Sequence, residues 1–294
     1  MKKNNLHKEL CVLVEEMIVK MEDGTGEWVE SWSAPHGFPK NFTTKKEYRG
    51  FNFFHLSNVM VKKGYTAPYF LTFNQIKALK GKVKKGSKAT HVYFYTMLTI
   101  EEKETLEEKE TLEEKKIPLL KRYNVFNIED TDIEYELDHT PLNNNERYQN
   151  VEEFIMETEA KIRYGGGRAF FSPSGDYIQI PKLEYFIDSD NYYATILHEL
   201  THWTGATTRL DRLKKGSMGS KNYAFEELVA ELGSVFLCSH LGISIEKNQH
   251  PEYLQGYVKI LKENPQILWQ AASKAQQAFD YIKDVVEYSN QKVG

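Results

Sequence analysis

HELTHWTG, residues 198–205, followed by EELVAEL, residues 226–232, is the stretch on which the reading of this chain turns. The first segment contains HExxH. On a helix, His198 and His202 fall four residues apart on one face, with Cβ atoms ~5–6 Å apart, close enough to share one metal ion. Glu199 then stands beside that ion, where a carboxylate can polarise a metal-bound water and so generate a nucleophile near neutral pH. A catalytic zinc keeps its fourth position for water and takes three protein ligands, so one more donor is required. The second segment offers it. Glu227 and Glu231 share a helix face, so that one can bind the metal while the other orients a ligand histidine from behind. Glu227 is the expected ligand and Glu231 its outer partner, with Glu226 a further donor on the same segment.

Working outward, Asp188 and Asp190 are helix-start residues, and Tyr193, Ile196, Leu197 and Leu200 recur at helical spacing up to a stop at Gly205. SGDYIQIP, residues 174–181, alternates as a strand does; it is either a plain sheet strand or an edge able to pair with extended substrate. Gly165, Gly166 and Gly167 read as a turn, because no Lys-Ser/Thr follows them as a phosphate loop demands. Helices are expected around residues 151–162, 251–262 and 265–288, the last burying Leu268, Ala271, Ala272, Ala275, Phe279, Ile282 and Val286 along one face.

At 294 residues the chain exceeds the usual size of a single core, and two domains are expected. The polar run DHTPLNNNERYQ suggests the division: a first domain over 1–137, a linker over 138–150 and a second domain over 151–294. Only Cys11 and Cys238 are present, far apart and in apolar helical contexts, which implies reduced thiols and a cytoplasmic protein. Glu15 and Glu16 interrupt the apolar residues of the N-terminal helix expected over 5–22, no cleavage site of small residues follows, and no run reaches membrane-spanning length.

The net charge of −4 hides an asymmetry. Residues 1–100 hold 16 Lys and Arg against 8 Asp and Glu; from Lys40 to Ile100 there are twelve basic residues and a single acidic one, Glu47. Aromatic residues are interleaved with them. Cations for phosphates and rings for unpaired bases are what single-stranded nucleic acid requires, against the plainer reading of a solvated turn and a core. The candidate contacts are Lys45, Lys46, Tyr48, Arg49, Phe51, Phe53, Lys80, Lys82, Lys84, Lys85 and Lys88. Further on, FLTFNQIKALKG reads as a helix entered through Thr72 or Asn74, HVYFYTMLTI as a strand, and KETLEE occurs twice, at 103–108 and 109–114. A six-residue period drifts around a helix, so the duplication is read as a solvated hairpin extension.

Five segments, FPKNFTTKKEYRGFN, YNVFNIED, DYIQIP, HELTHWTG with Arg209-Leu210, and YAFEELVAELGSVFL, together resemble the ArdC-type antirestriction proteins of plasmids and other mobile elements. The resemblance spans most of the chain in order. It implies an α+β architecture: an N-terminal α+β domain that binds single-stranded DNA, followed by a zincin-like metallopeptidase domain carrying the HExxH helix. It also implies His198 and His202 as metal ligands, a glutamate of EELVAE as the third, Glu199 as catalytic base, Zn2+ as cofactor and a protein or peptide substrate. After YxVFN the family often carries a glutamine where this chain has Ile128-Glu129-Asp130. Two other functions fit the same residues: a DNA-binding protein whose zinc is structural, in which Glu199 is dispensable, and a cytoplasmic metallopeptidase that cleaves a repressor.

Overall fold

The computed structural model describes residues 11–12, 14–16, 18–19, 21–22, 37–106, 109–137, 144–213, 220–244 and 251–293. By their contacts they form two compact units, one of residues 40–46 and 67–136 and the other of residues up to 39, 47–66 and from 137 onward. Sequence order alone would put residues 47–66 in an N-terminal domain; their packing puts them with the C-terminal helices.

The smaller unit is a four-stranded sheet in the order β1-β2-β4-β3. Strand β1 (Lys40–Asn41) runs parallel to β2 (Tyr69–Thr72), β2 antiparallel to β4 (Lys109–Asn127), and β4 antiparallel to β3 (Thr90–Leu106). One sheet face packs Tyr69 and Leu71 with Ala67, Ile76 and Ile128 into a core flanked by Phe42, Phe126 and Tyr135. A short helix α1 (Phe73–Ala78) leaves β2 directly, because Thr72 and Gln75 close a complete capping box at its start. The KETLEE duplication lies in the distal part of the hairpin, where Lys103 pairs with Leu112 and Leu106 with Lys109. Six is a whole number of two-residue strand repeats, so a period that fails on a helix keeps register on a strand. Ile128-Glu129-Asp130 forms a tight turn: Asn127 caps it, and the Glu129 carboxylate accepts from the Ala67 N–H at 2.6 Å.

The larger unit is mainly helical. Phe51–Lys63 forms α2, ended by Gly64 at φ 67°, a left-handed position that glycine takes without strain. This helix is buried on nearly every side: Phe53 lies 4.6 Å from the ring of Phe236 and 4.8 Å from that of Phe38, and Phe51 stacks on Trp269 at 5.0 Å. Burying each such ring stabilises the fold by about 1.5–3 kcal/mol, which is why the segment belongs here. Described residues between 11 and 22 are helical, with Val14, Ile18 and Met21 buried.

A three-stranded sheet follows in the order β5-β7-β6, with β5 at Ile162–Tyr164, β6 at Phe170–Ser172 and β7 at Tyr177–Ile180. β7 is central: β5 pairs with it in parallel and β6 antiparallel. Both its edges are therefore occupied, so the expected option of substrate pairing with SGDYIQIP is closed. The three glycines form the turn after β5, with Gly165 and Gly166 at positive φ. Five helices complete the unit: α3 (Asn144–Glu157), α4 (Ser189–Thr204), α5 (Lys221–Leu241), α6 (Pro251–Glu263) and α7 (Gln266–Val293). Helix α5 is buried along most of its length and lies against α4, α6 and α7. The expected face of α7, Leu268 to Val286, is buried throughout. Tyr193 donates to Glu152 and Tyr148 to Asp190, tying α3 to α4. Both cysteines are free thiols, and burial pushes that of Cys238 up to about 12. Among the described residues no helix is long and apolar enough to cross a membrane.

Candidate metal centre

Asp188 caps α4 by accepting from the Asn191 N–H, and the helix carries His198, Glu199 and His202 in its second half. Its alignment with α5 depends on small residues. A Cβ on Gly233 would stand 2.4 Å from Thr201 Cγ2, so only glycine lets the backbones approach this closely, and Ser234 Oγ donates to the Ala194 carbonyl at 3.1 Å. Contacts run in opposite directions along the two helices, from Ala194 with Ser234 to His202 with Glu226. The antiparallel crossing brings the EELVAE segment against the two histidines.

Donor atoms of His198, His202 and Glu227 all lie within 4.8 Å of one another. His198 Nε2 is 3.6 Å from one Glu227 oxygen and His202 Nε2 is 3.5 Å from the other. Two ligands at ~2.1 Å from a tetrahedral zinc stand ~3.4 Å apart, so the spacing already matches the edge of a coordination sphere. The outer ring nitrogens are held from behind. His198 Nδ1 meets Glu231 at 3.3 Å, and His202 Nδ1 meets Glu226 at 3.3 Å. This leaves both Nε2 atoms facing the space beside Glu227, the arrangement by which carboxylates orient metal-binding imidazoles. Two imidazoles and one carboxylate are a donor set for a divalent metal with a position left for water. Glu199, 7% exposed, follows His198 on the same helix.

Sequence reasoning missed the support behind His202. Glu226 is gripped by Arg212, whose Nε and Nη2 donate to its two oxygens at 3.0 and 2.9 Å. The Arg212 side chain is 5% exposed and also donates to the Thr201 carbonyl and to Thr204 Oγ1. Room for it comes from Gly205, where a Cβ would lie 3.0 Å from the guanidinium. Gly205 does stop α4, yet its φ of −78° is ordinary, so its value is space and not backbone freedom. A second arginine, Arg209, anchors the turn after α4 on Asp176, on the Trp203 carbonyl and over the Trp203 ring at 4.2 Å.

Electrostatics follow from this crowding. Burial works to lower the pKa of His198, but hydrogen bonds to Glu227 and Glu231 outweigh it and raise the value well above the ordinary range. The same balance, with Glu226 and Glu227 as partners, lifts His202 to about 9. For Glu227 burial works upward, and the two histidines overcome it and hold the carboxyl far below its usual range. Protons on the imidazoles thus occupy the electrostatic role that a divalent cation fills.

Residues 149–274 match the zincin-like metallopeptidase family, and residues 7–126 match the N-terminal domain of anti-restriction factor ArdC. The metal-free crystal structure of antirestriction ArdC protein from the R388 plasmid is 35% identical, with a TM-score of 0.78 over 95% of this chain and 98% of that one. The chain belongs to the ArdC antirestriction family. The Mn(II)-bound structure of the same R388 protein is similar too, at 34% identity and a TM-score of 0.75, covering 96% of this chain and 98% of that one. Protein y4eC of Sinorhizobium fredii is 32% identical over 92% of this chain and 90% of its own length. Two Escherichia coli DNA primases TraC are each 33% identical over 92% and 95% of this chain, which spans 19% and 27% of their lengths.

The expected DNA contacts of this ArdC-family chain divide between the units. Lys45, Lys46, Lys80, Lys82, Lys84, Lys85 and Lys88 are exposed on the sheet unit, where Lys84 donates to the Glu129 carbonyl and Lys45 lies 4.8 Å from the Phe42 ring centre. Tyr48, Phe51 and Phe53 are buried in the helical unit, so their faces are spent on core contacts and cannot stack on bases. Arg49 pairs with Asp280 in that same unit. Basic and aromatic composition signals both a nucleic-acid surface and an aromatic core; only burial separates them.

Proposed function

We propose that this chain is an antirestriction protein that works in the cytoplasm as a zinc-dependent metallopeptidase held on single-stranded DNA. The observation that carries the reading is the convergence of His198, His202 and Glu227, within 4.8 Å, beside the buried Glu199. Zinc bound there supplies a Lewis acid and a water of lowered pKa. The residues of the chain do the rest. Glu231 and Glu226 fix the imidazole tautomers, so that each Nε2 offers its lone pair inward. Glu199 receives the proton of the attacking water and returns it to the leaving amine, the role a carboxylate fills beside HExxH histidines. Glu199 and Glu227 are buried while the two imidazoles stay partly exposed, which leaves the cluster open to water and substrate from the histidine side. The exposed lysines of the sheet unit support the DNA-binding half of the reading, and the match to the ArdC N-terminal domain supports it independently. The substrate is a protein or peptide.

The test is Glu199→Gln in the full chain. It keeps size and hydrogen-bonding capacity, so bound metal should stay near one equivalent while turnover of a peptide library and protection of incoming DNA are both lost. Metal retained with protection unchanged would mean that the site is structural and that the protein acts by binding alone.

A further inference from the structure

We propose that Phe94 and Tyr123 on the β3–β4 hairpin, with Phe73 at the start of α1, are the rings on which bases of single-stranded DNA stack. The inference rests on the reading that the chain binds single-stranded DNA, and it identifies where. Among the residues of the sheet unit whose side chains are described, the exposed aromatic ones are Phe73 at 49%, Phe94 at 47% and Tyr123 at 45%. Single exposed rings are ordinary on protein surfaces, but these are grouped. Phe94 and Tyr123 meet edge to face, with centroids 5.5 Å apart and planes at 81°. The register explains the contact: Phe94 pairs with Lys121 and Val92 with Tyr123, so the two rings sit diagonally on one face of the ladder. Phe73 begins one residue beyond the Thr72–Val125 pair, at the end of β2 that adjoins this part of β4.

Positions on that face nearer β2, Val92 and Val125, are only 1% exposed, so the face passes from buried aliphatic residues to open rings along a few residues of strand. Rings that met only water would gain nothing there, whereas an unpaired base laid on one adds an apolar stacking contact that any base can make. Cations adjoin the rings. Lys121 is exposed directly across from Phe94, Lys77 Nζ lies 4.9 Å from the Phe73 centroid, and the exposed Lys80, Lys82, Lys84, Lys85 and Lys88 follow α1 in sequence. Cations beside open rings suit a chain of phosphates and unpaired bases. Duplex DNA satisfies the cations and leaves the rings unused, because its bases are already stacked.

The experiment uses the full chain and an oligothymidylate carrying one 2-aminopurine, whose fluorescence is quenched when it stacks. Phe94→Ala with Tyr123→Ala should weaken single-strand binding by roughly fivefold or more per ring and reduce the quenching to what Phe73 alone supports. The slope of log affinity against log salt should stay as in the wild type, because no phosphate contact is removed. Tyr123→Phe should bind like wild type, since it keeps the ring. Both substitutions are at exposed positions, so an unchanged melting temperature checks that the fold is intact. Wild-type affinity and quenching in the double variant would overturn this surface while leaving single-strand binding by the chain in place. Absence of binding by the wild-type protein would overturn both.

Discussion

The candidate metal centre and the open face of the β3–β4 hairpin are built on opposite physical terms. At that cluster, ionisable groups are largely withdrawn from water and each is held by another: His198 by Glu231, His202 by Glu226, Glu226 by Arg212. On the hairpin, rings and cations face water, and a side chain can leave without stranding a partner. A buried network fixes geometry and fails as a whole, whereas an exposed surface loses affinity contact by contact. Substitutions should therefore be steep and coupled in the first region and shallow and additive in the second.

The steepest expected effect is at the ligands. His202→Ala removes one of three protein donors and leaves Glu226 and Glu227 facing each other without the imidazole between them. Bound metal measured by plasma emission should drop from near one equivalent to background. A full equivalent in the His198→Ala/His202→Ala double variant would end the metal assignment. Next come the rings that composition alone would have sent to DNA. Phe53 is fully buried against Phe38, Phe54 and Phe236, so Phe53→Ala should cost about 3–5 kcal/mol of stability, read by chemical denaturation. Phe94→Ala should cost within about 0.5 kcal/mol, as surface changes do. Equal costs would break the distinction between core and surface rings.

Outer supports should matter less than ligands but act on them specifically. Glu226→Gln keeps the shape beside His202 and removes the charge shared with Arg212, so metal affinity should fall by roughly 10- to 100-fold without loss of fold. Unchanged affinity would reduce the Glu226–Arg212 pair to a brace for the turn after α4.

These two arginine and glutamate partners also mark the limit of what could be read from the chain beforehand. The pairing of His198 with His202, and of Glu227 with Glu231, was legible because four-residue spacing on a helix is a local rule, but which glutamate of EELVAE stands beside the two Nε2 atoms is decided by the α4–α5 crossing. The cap at Asp188 and the buried face of α7 were legible for the same reason. Glu226 is different: one residue from Glu227 it points elsewhere around the helix, and only the α4–α5 crossing at Gly233 and the turn after Gly205 bring His202 and Arg212 to it. Phe51 and Phe53 were misread because their partners Trp269 and Phe236 are distant in sequence. No periodicity in a helix buried on nearly all sides distinguishes a core from a stacking platform.

The dependence on pH has a definite sign. In the metal-free chain the folded-state pKa of His202, about 9, lies above its ordinary 6.5, so its contribution to stability is fully present below 6.5 and is lost as pH rises through about 9. Glu227 is depressed below its ordinary 4.5, so its contribution is present above 4.5 and lost as pH falls below that value. Stabilisation from this cluster is thus greatest between 4.5 and 6.5. Metal must displace the histidine protons, so its affinity should rise about tenfold per pH unit for each histidine released, up to about 9. Thermal melts with chelator should soften from pH 6 to 9, while the increment added by zinc should grow. An increment that shrinks with pH would mean that the metal does not replace those protons.

The smallest effects belong to the lysines of the sheet unit, and there the informative quantity is a slope. Lys80 and Lys82 are exposed. Replacing both with alanine should leave stability unchanged and weaken single-strand binding only modestly at high salt, where electrostatic attraction is already screened. Each phosphate contact contributes about −0.7 to the slope of log affinity against log salt on single strands, so losing two should flatten the plot by roughly 1.4. Duplex binding should flatten as well, because phosphates are common to both forms, whereas removal of Phe94 and Tyr123 should spare it. A slope that does not respond would assign the basic surface to solubility and leave the rings alone to hold the strand. A change in base preference would be equally damaging, since a cation on a phosphate carries no information about sequence.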